Sequence, residues 1–250
     1  MPEISNGRIY KPGYAAKNLR GIDEGPRPWD IQKIILEKAS QFTHPELLDI
    51  GCGTCEKILF LADFFHHIYA IEPNPNMCEL SKKIIAASTK GNISLYKACA
   101  EQIPLANESV DIATAMISVW DEKEIFRVLR SGGYAIIETV ANHDKENLKY
   151  PFGRDEQGWR GQKLNFQDGE LTNKIQNELA SCFKEVNVRE GYWTTYYSYE
   201  GLIKLFQETS SMRHFDEQKD VEALNYIKEN FATPKGIKTY QHRILAIARK

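Results

Sequence analysis

A single stretch, Leu47-Leu48-Asp49-Ile50-Gly51-Cys52-Gly53-Thr54-Cys55-Glu56, most limits what this chain can fold into. It is apolar apart from Asp49 until it meets a turn with two glycines, and an apolar segment with Ile58, Leu59, Leu61, Ala62, Phe64 and Phe65 follows at once. A short apolar run closed by glycines reads as a buried strand leaving a sheet core, with a helix after it. Gly51 and Gly53 mark backbone conformations that a side chain forbids, or a ligand pressed against the main chain. Strand, glycine turn and helix make the first half of a nucleotide-binding βαβ unit.

The dinucleotide pattern asks for a third glycine three residues after the second, and that position is Glu56. A pyrophosphate on the helix N-terminus would meet the Glu56 carboxylate as a like charge. Asp49, just before the turn, also suits a ligand with cationic centres. S-adenosylmethionine is such a ligand, with an ammonium, a sulfonium and no phosphate. The segment His67–Ile71 reads as a second strand ending at Glu72, about 20 residues past the first glycine, where a carboxylate accepts hydrogen bonds from ribose hydroxyls. NAD would use the same acid, so Glu56 and Asp49 decide between the two.

The remaining pattern continues the alternation. Helices are expected over Trp29–Ser40, Pro75–Ser88 and Glu122–Arg130, the last stopped by Gly132-Gly133. Strands are expected at Ile93–Lys97, Val110–Ile117 and Tyr134–Val140. Val110–Ile117 is apolar without alternation, as a parallel strand covered on both faces must be. Beyond it, residues 141–168 read as a long irregular loop, followed by a helix at Gly169–Cys182 and a strand at Glu185–Arg189. An aromatic segment, Tyr192–Tyr199, precedes helices at Glu200–Glu208 and Asp220–Glu229, and Gln241–Ala248 closes as a strand. The expectation is a doubly wound α/β sheet.

Two hundred and fifty residues suit one domain with a sizeable core. It divides into a lid and helix (1–40), a core (41–140), and covering loops with closing strands (141–250). A formal charge of −2 gives no overall field toward nucleic acid or an anionic membrane. Five cysteines without a disulfide pattern, and no apolar leader at the start, set the expectation of a reducing, cytoplasmic chain without membrane spans. Nothing in the sequence sets an oligomeric state. The pair Cys52 and Cys55 lacks the second C-x-x-C or histidine pair that a zinc site needs, so no metal is expected.

The pattern from Leu47 to Val140 resembles the class I, Rossmann-like S-adenosylmethionine-dependent methyltransferases. The resemblance implies a seven-stranded, mostly parallel sheet of order 3-2-1-4-5-7-6, its last strand antiparallel. It further implies that Asp49, Gly51, Cys52, Gly53 and Thr54 line the methionine part of the cofactor and that Glu72 binds the ribose. Pro73 and Met77 then flank the adenine, while Cys99, Ala100, Glu101 and Ile117 complete the site. Cys99 departs from the aspartate usual there, which leaves Glu101 as the alternative partner of the adenine amino group.

Methyl transfer from a sulfonium is an in-line displacement that needs alignment above all, plus a general base where the acceptor must lose a proton. His143, after the fifth strand, is the candidate base. Tyr14, Trp159 and Tyr196 are the candidate substrate contacts, facing one cleft with His143 and closed by an N-terminal lid over residues 1–28. The acceptor expected is a small molecule. An RNA base is the alternative, because Lys145, Lys149, Arg154, Arg160 and Lys163 interleave with Tyr150, Phe152 and Trp159. Asp144, Glu146, Asp155 and Glu156 dilute that patch, so nucleic acid is not favoured. A non-catalytic S-adenosylmethionine-binding protein is the third reading. An ion pair with an acid is expected for His242-Arg243.

Overall fold

The computed structural model describes residues 21–250. Its elements begin with β1 (Ile22–Glu24), α1 (Ile31–Ala39), β2 (Glu46–Ile50), α2 (Glu56–Leu59), β3 (His67–Ile71) and α3 (Pro75–Ala87). They continue through β4 (Ile93–Tyr96), β5 (Val110–Met116), α4 (Glu122–Val128), β6 (Leu129–Val140) and α5 (Glu146–Lys149). A hairpin of β7 (Arg154–Asp155) and β8 (Gly158–Trp159) precedes α6 (Glu170–Ala180), β9 (Glu185–Tyr197) and α7 (Tyr199–Glu208). The chain ends with α8 (Val221–Phe231), β10 (Ala232–Thr233) and β11 (Gly236–Arg249).

Helix starts follow local chemistry. The Asp30, Asn74, Asp121 and Ser198 side chains accept first-turn N–H groups of α1, α3, α4 and α7, and Pro75 opens α3 where its missing N–H costs nothing. The helix expected directly after the glycine turn is cut short. It forms only α2 and a single 3-10 turn, Ala62–Phe64.

The main sheet runs β1-β9-β11-β6-β5-β2-β3-β4, with β10 paired to β11. Pairs among β2 to β6 are parallel, and β11 is antiparallel to both β6 and β9. The sheet is therefore larger than the seven strands expected. One added strand, β1, lies in the segment read as a lid. Ile22 pairs with Tyr196 and Glu24 with Thr194, so residues 22–24 are a sheet edge. The aromatic stretch from Tyr192 is likewise the second half of β9, not an insertion.

Period-two alternation divides the core. Leu47, Ile136 and Leu245 pack on one face with Ile35, Ile58 and Phe65; Leu48, Ile137 and Ile244 pack on the other with Ile125, Ile175 and Leu179. A third cluster, with Leu148, Phe152, Tyr197, Leu202, Phe206, Leu224 and Ile237, holds α7 and α8 against the ends of β9 and β11. These extra apolar contacts explain why both strands outrun their expected lengths. Among the described residues no helix is long and apolar enough to cross a membrane.

Candidate functional site

One cleft of about 1240 Å³ opens outside the carboxyl ends of β2, β3, β5 and β6. At one end lie Asp49, Gly51, Cys52, Gly53, Thr54, Glu72, Pro73, Met77, Cys99, Ala100, Glu101 and Ile117, all lining it. The structure thus brings every residue expected at the cofactor into one place.

The turn is held from below. Gly51 and Cys52 donate their N–H groups to the Ile71 carbonyl, 2.9 and 3.1 Å away, joining the ends of β2 and β3. The buried Glu72 carboxylate accepts from the Gly53 N–H at 2.9 Å and the Asn74 N–H at 2.8 Å, while Ser81 Oγ donates to the Gly53 carbonyl. Burial raises the Glu72 carboxyl above the usual range against these two bonds. Asp49 is buried too and accepts from Thr114 Oγ1 at 2.6 Å. Burial pushes its carboxyl up to about 6; the Thr114 bond and Lys57 oppose the rise, and Glu72 adds to it. Cys52 and Cys55 are free thiols with sulfurs 3.2 Å apart, and no group of three metal-binding side chains occurs among the described residues.

These features fit S-adenosylmethionine. Two carboxylates and a glycine turn face the cleft, and Gly53, at φ +60°, has no atom within 4 Å of where a Cβ would stand. Glu56 also lines the cleft, where a phosphate would have to sit.

The other end is built from Asp23, Arg27, Trp29, Glu138, Asp144, Lys145, Trp193, Thr195, Tyr197, Gln241 and Arg243. Trp29 Nε1 donates to Glu138 at 2.7 Å, and Asp23 accepts from Trp193 Nε1, Thr195 Oγ1 and Arg27 Nε. The Arg27 guanidinium lies 5.1 Å from the Trp193 ring.

The substrate residues expected from sequence do not meet there. Tyr14 lies outside the described residues. His143, Trp159 and Tyr196 are not among the lining residues. His143 has both ring nitrogens on carboxylates, Glu146 at 2.5 Å and Asp168 at 2.6 Å. Those acids outweigh partial burial and raise its pKa, favouring a protonated ring that has no free position for a substrate proton. Trp159 packs edge-on to Tyr150 with Arg154 over its ring. Tyr196 is buried and donates to Glu24. Its error has a simple cause: along β9 alternate residues face opposite ways, and Trp193, Thr195 and Tyr197 take the cleft side. Reading the aromatic stretch as a strand would have found them.

The basic patch proposed for RNA does not assemble. Lys145 and Lys149 are buried against Asp144, and Arg160 is spent on Asp220 at 2.8 Å. His242 and Arg243 do pair with acids, Glu190 and Asp144.

Comparison with known proteins agrees with this geometry. Residues 48–137 match the family described as "Methyltransferase domain". The chain is 33% identical over 128 residues to the ubiquinone/menaquinone biosynthesis C-methyltransferase of Geotalea daltonii, covering 47% of this chain and 52% of that protein. It is 26% identical over 172 residues to the malonyl-[acyl-carrier protein] O-methyltransferase of a Marinomonas species, covering 62% and 61%. The chain thus spans about half of the first of these relatives and three fifths of the second. The crystal structure of the YcgJ protein of Bacillus subtilis superposes with a TM-score of 0.61 over 87% of this chain and 97% of that one. At 15% identity that likeness speaks for the fold alone.

Proposed function

We propose that the chain is a class I S-adenosylmethionine-dependent methyltransferase that transfers the methyl group to a small organic acceptor seated beside the cofactor. One observation carries this reading. A single cleft joins the glycine turn and Glu72 to a chamber walled by Trp29, Trp193 and Tyr197 with a few fixed polar groups, the usual make-up of a small-ligand site. The names of the two curated relatives refer to a quinone pathway and to a malonyl group on a carrier.

In this reading Glu72 takes the ribose hydroxyls, and Asp49 with the turn from Gly51 to Thr54 takes the methionine part. Pro73 and Met77 flank the adenine; Cys99, Ala100, Glu101 and Ile117 close over it. When bound, the cofactor supplies an electrophilic methyl group on its sulfonium. The protein aligns the acceptor and keeps out water, with no covalent step of its own. Glu138, held by Trp29, replaces His143 as the proton acceptor where the acceptor atom carries a proton.

Asp49 makes binding pH-dependent. Its carboxyl is up near 6 in the folded protein against 3.8 for the free side chain. As pH rises from about 4 to about 6 the unfolded chain loses this proton first, so the group lowers folding stability over that window. A bound ammonium reverses the preference, because it favours the carboxylate. S-adenosylhomocysteine should therefore bind more tightly as pH rises through about 6, releasing a proton on binding below it. Calorimetry in two buffers of different ionisation enthalpy reads that proton, and Asp49→Asn should abolish the effect. An identical pH profile in the variant would remove Asp49 from the site.

The acceptor class is tested by incubating the protein with methyl-labelled S-adenosylmethionine and either a low-molecular-mass cell fraction or total RNA. Label is expected in the small-molecule fraction. Label confined to RNA would overturn the reading.

A further inference from the structure

Three cationic side chains crowd one carboxylate at the chamber end of the cleft. Asp144, its side chain 4% exposed, is paired with Lys145 at 3.0 Å, Lys149 at 3.5 Å and Arg243, whose side chains are 5%, 0% and 9% exposed. Of the neighbouring acids, Asp23 pairs with Arg27, Glu190 shares a hydrogen bond with His242, and Glu138 accepts from Trp29 Nε1. Charge buried without a partner is costly, so a fold keeps such an excess where something else supplies the missing charge. Burial and mutual repulsion press both lysines down to about 8 despite the attraction of Asp144.

Only part of this excess faces the cleft. Lys149 donates to the Gln162 carbonyl and does not line it, whereas Lys145 and Arg243 do. The chamber lining sets Asp23, Glu138 and Asp144 against Arg27, Lys145 and Arg243, so what sets Arg243 apart is its free donors rather than a net charge. Arg243 spends Nη1 on Asp144 and the His242 carbonyl, and one Nη2 bond on Gln241 Oε1. Its Nε–H and second Nη2–H have no protein acceptor among the described residues. Nε and Nη2 share one edge of the planar guanidinium, the edge that can hold a carboxylate through two bonds. Lys145 is fixed beside it. Its backbone sits at φ +53°, its N–H bonds the Tyr240 carbonyl, and its ammonium shares Gln241 Oε1 with Arg243. A left-handed non-glycine residue at such a point is the kind of strain that fixes a functional group. The Trp193 ring, 5.7 Å from the Arg243 guanidinium, supplies an apolar wall next to the charge.

We infer that the acceptor carries a carboxylate, seated on the Arg243 edge beside Lys145, with its organic part against Trp193. The inference rests on the methyltransferase reading and narrows its substrate to organic acids.

The test uses full-length protein saturated with S-adenosylhomocysteine, whose own affinity is measured first. Matched probes are then titrated by calorimetry: aromatic and aliphatic carboxylic acids, their primary amides, and phenyl phosphate. Acids are expected to bind about ten- to a hundredfold more tightly than their amides, as a charge-assisted pair implies. Arg243→Gln should bring each acid to within about threefold of its amide, and Arg243→Lys, which keeps the charge without the fork, should fall between. S-adenosylhomocysteine affinity should not change in either variant. Acids that bind wild-type protein no better than amides overturn the carboxylate seat, whatever the variants do, and so does a preference for phenyl phosphate. Failure of S-adenosylhomocysteine itself to bind would instead sink the methyltransferase reading.

Discussion

Gly51→Val should abolish S-adenosylhomocysteine binding and lower the melting temperature sharply, whereas Gly53→Ala should abolish binding with the fold kept. Both glycines have positive φ, +70° and +60°, but their surroundings differ. A Cβ on Gly51 would stand 2.5 Å from Ser118 Cβ, an overlap that must move backbone. Ser118 cannot yield easily, because its Oγ bonds the Ile50 carbonyl at 2.6 Å. Strain of about 1–3 kcal/mol for the left-handed conformation adds to about 1–3 kcal/mol for overpacking. That is a large part of a typical stability of about 5–15 kcal/mol. Gly53 meets only the first cost, and its new methyl group enters the cleft. Thermal melting read by circular dichroism, beside calorimetry, separates the two. A Gly51→Val protein that melts and binds like wild type would contradict the Ser118 contact.

Glu72→Ala carries the second large effect. Both oxygens of this buried carboxylate already hold the turn, through the Gly53 and Asn74 N–H groups, and each keeps a lone pair for a ribose hydroxyl. Truncation frees the glycine turn and, if Glu72 takes the ribose as proposed, removes the ribose acceptors with it. Hydrogen bonds to a charged acceptor are worth about 1.5–3 kcal/mol, so affinity for S-adenosylhomocysteine should drop about ten- to a hundredfold. Unchanged affinity by calorimetry would remove Glu72 from the ribose.

The glycine-turn end of the cleft was legible in the sequence because its structure is local. One strand, one turn and the acid at the end of the next strand lie within 26 residues, Leu47 to Glu72. Their relative placement is dictated by a single βαβ unit. Gly51 was legible as a constrained position but not for its reason, since Ser118 lies 67 residues away. The chamber is assembled from distant segments: Asp23 and Arg27 near the start, Glu138 on β6, Trp193 on β9 and Arg243 on β11. No local pattern joins them. The edge strand β1 was hidden for the same reason, three residues made a strand only by pairing with β9. The aromatic stretch did carry a local signal, the two-residue alternation that sends Trp193 inward and Tyr192 to solvent. Polar Thr194 and Thr195 among the aromatics masked it.

A crystal structure of the S-adenosylhomocysteine complex decides whether one cleft seats the cofactor with its reactive end toward the Trp29–Trp193 chamber. Ribose hydroxyls are expected on Glu72, adenine beside Ala100, and the sulfur facing the chamber that holds Glu138 and Arg243. A ligand bound outside this cleft, or seated in it with the sulfur turned away from that chamber, would contradict this placement.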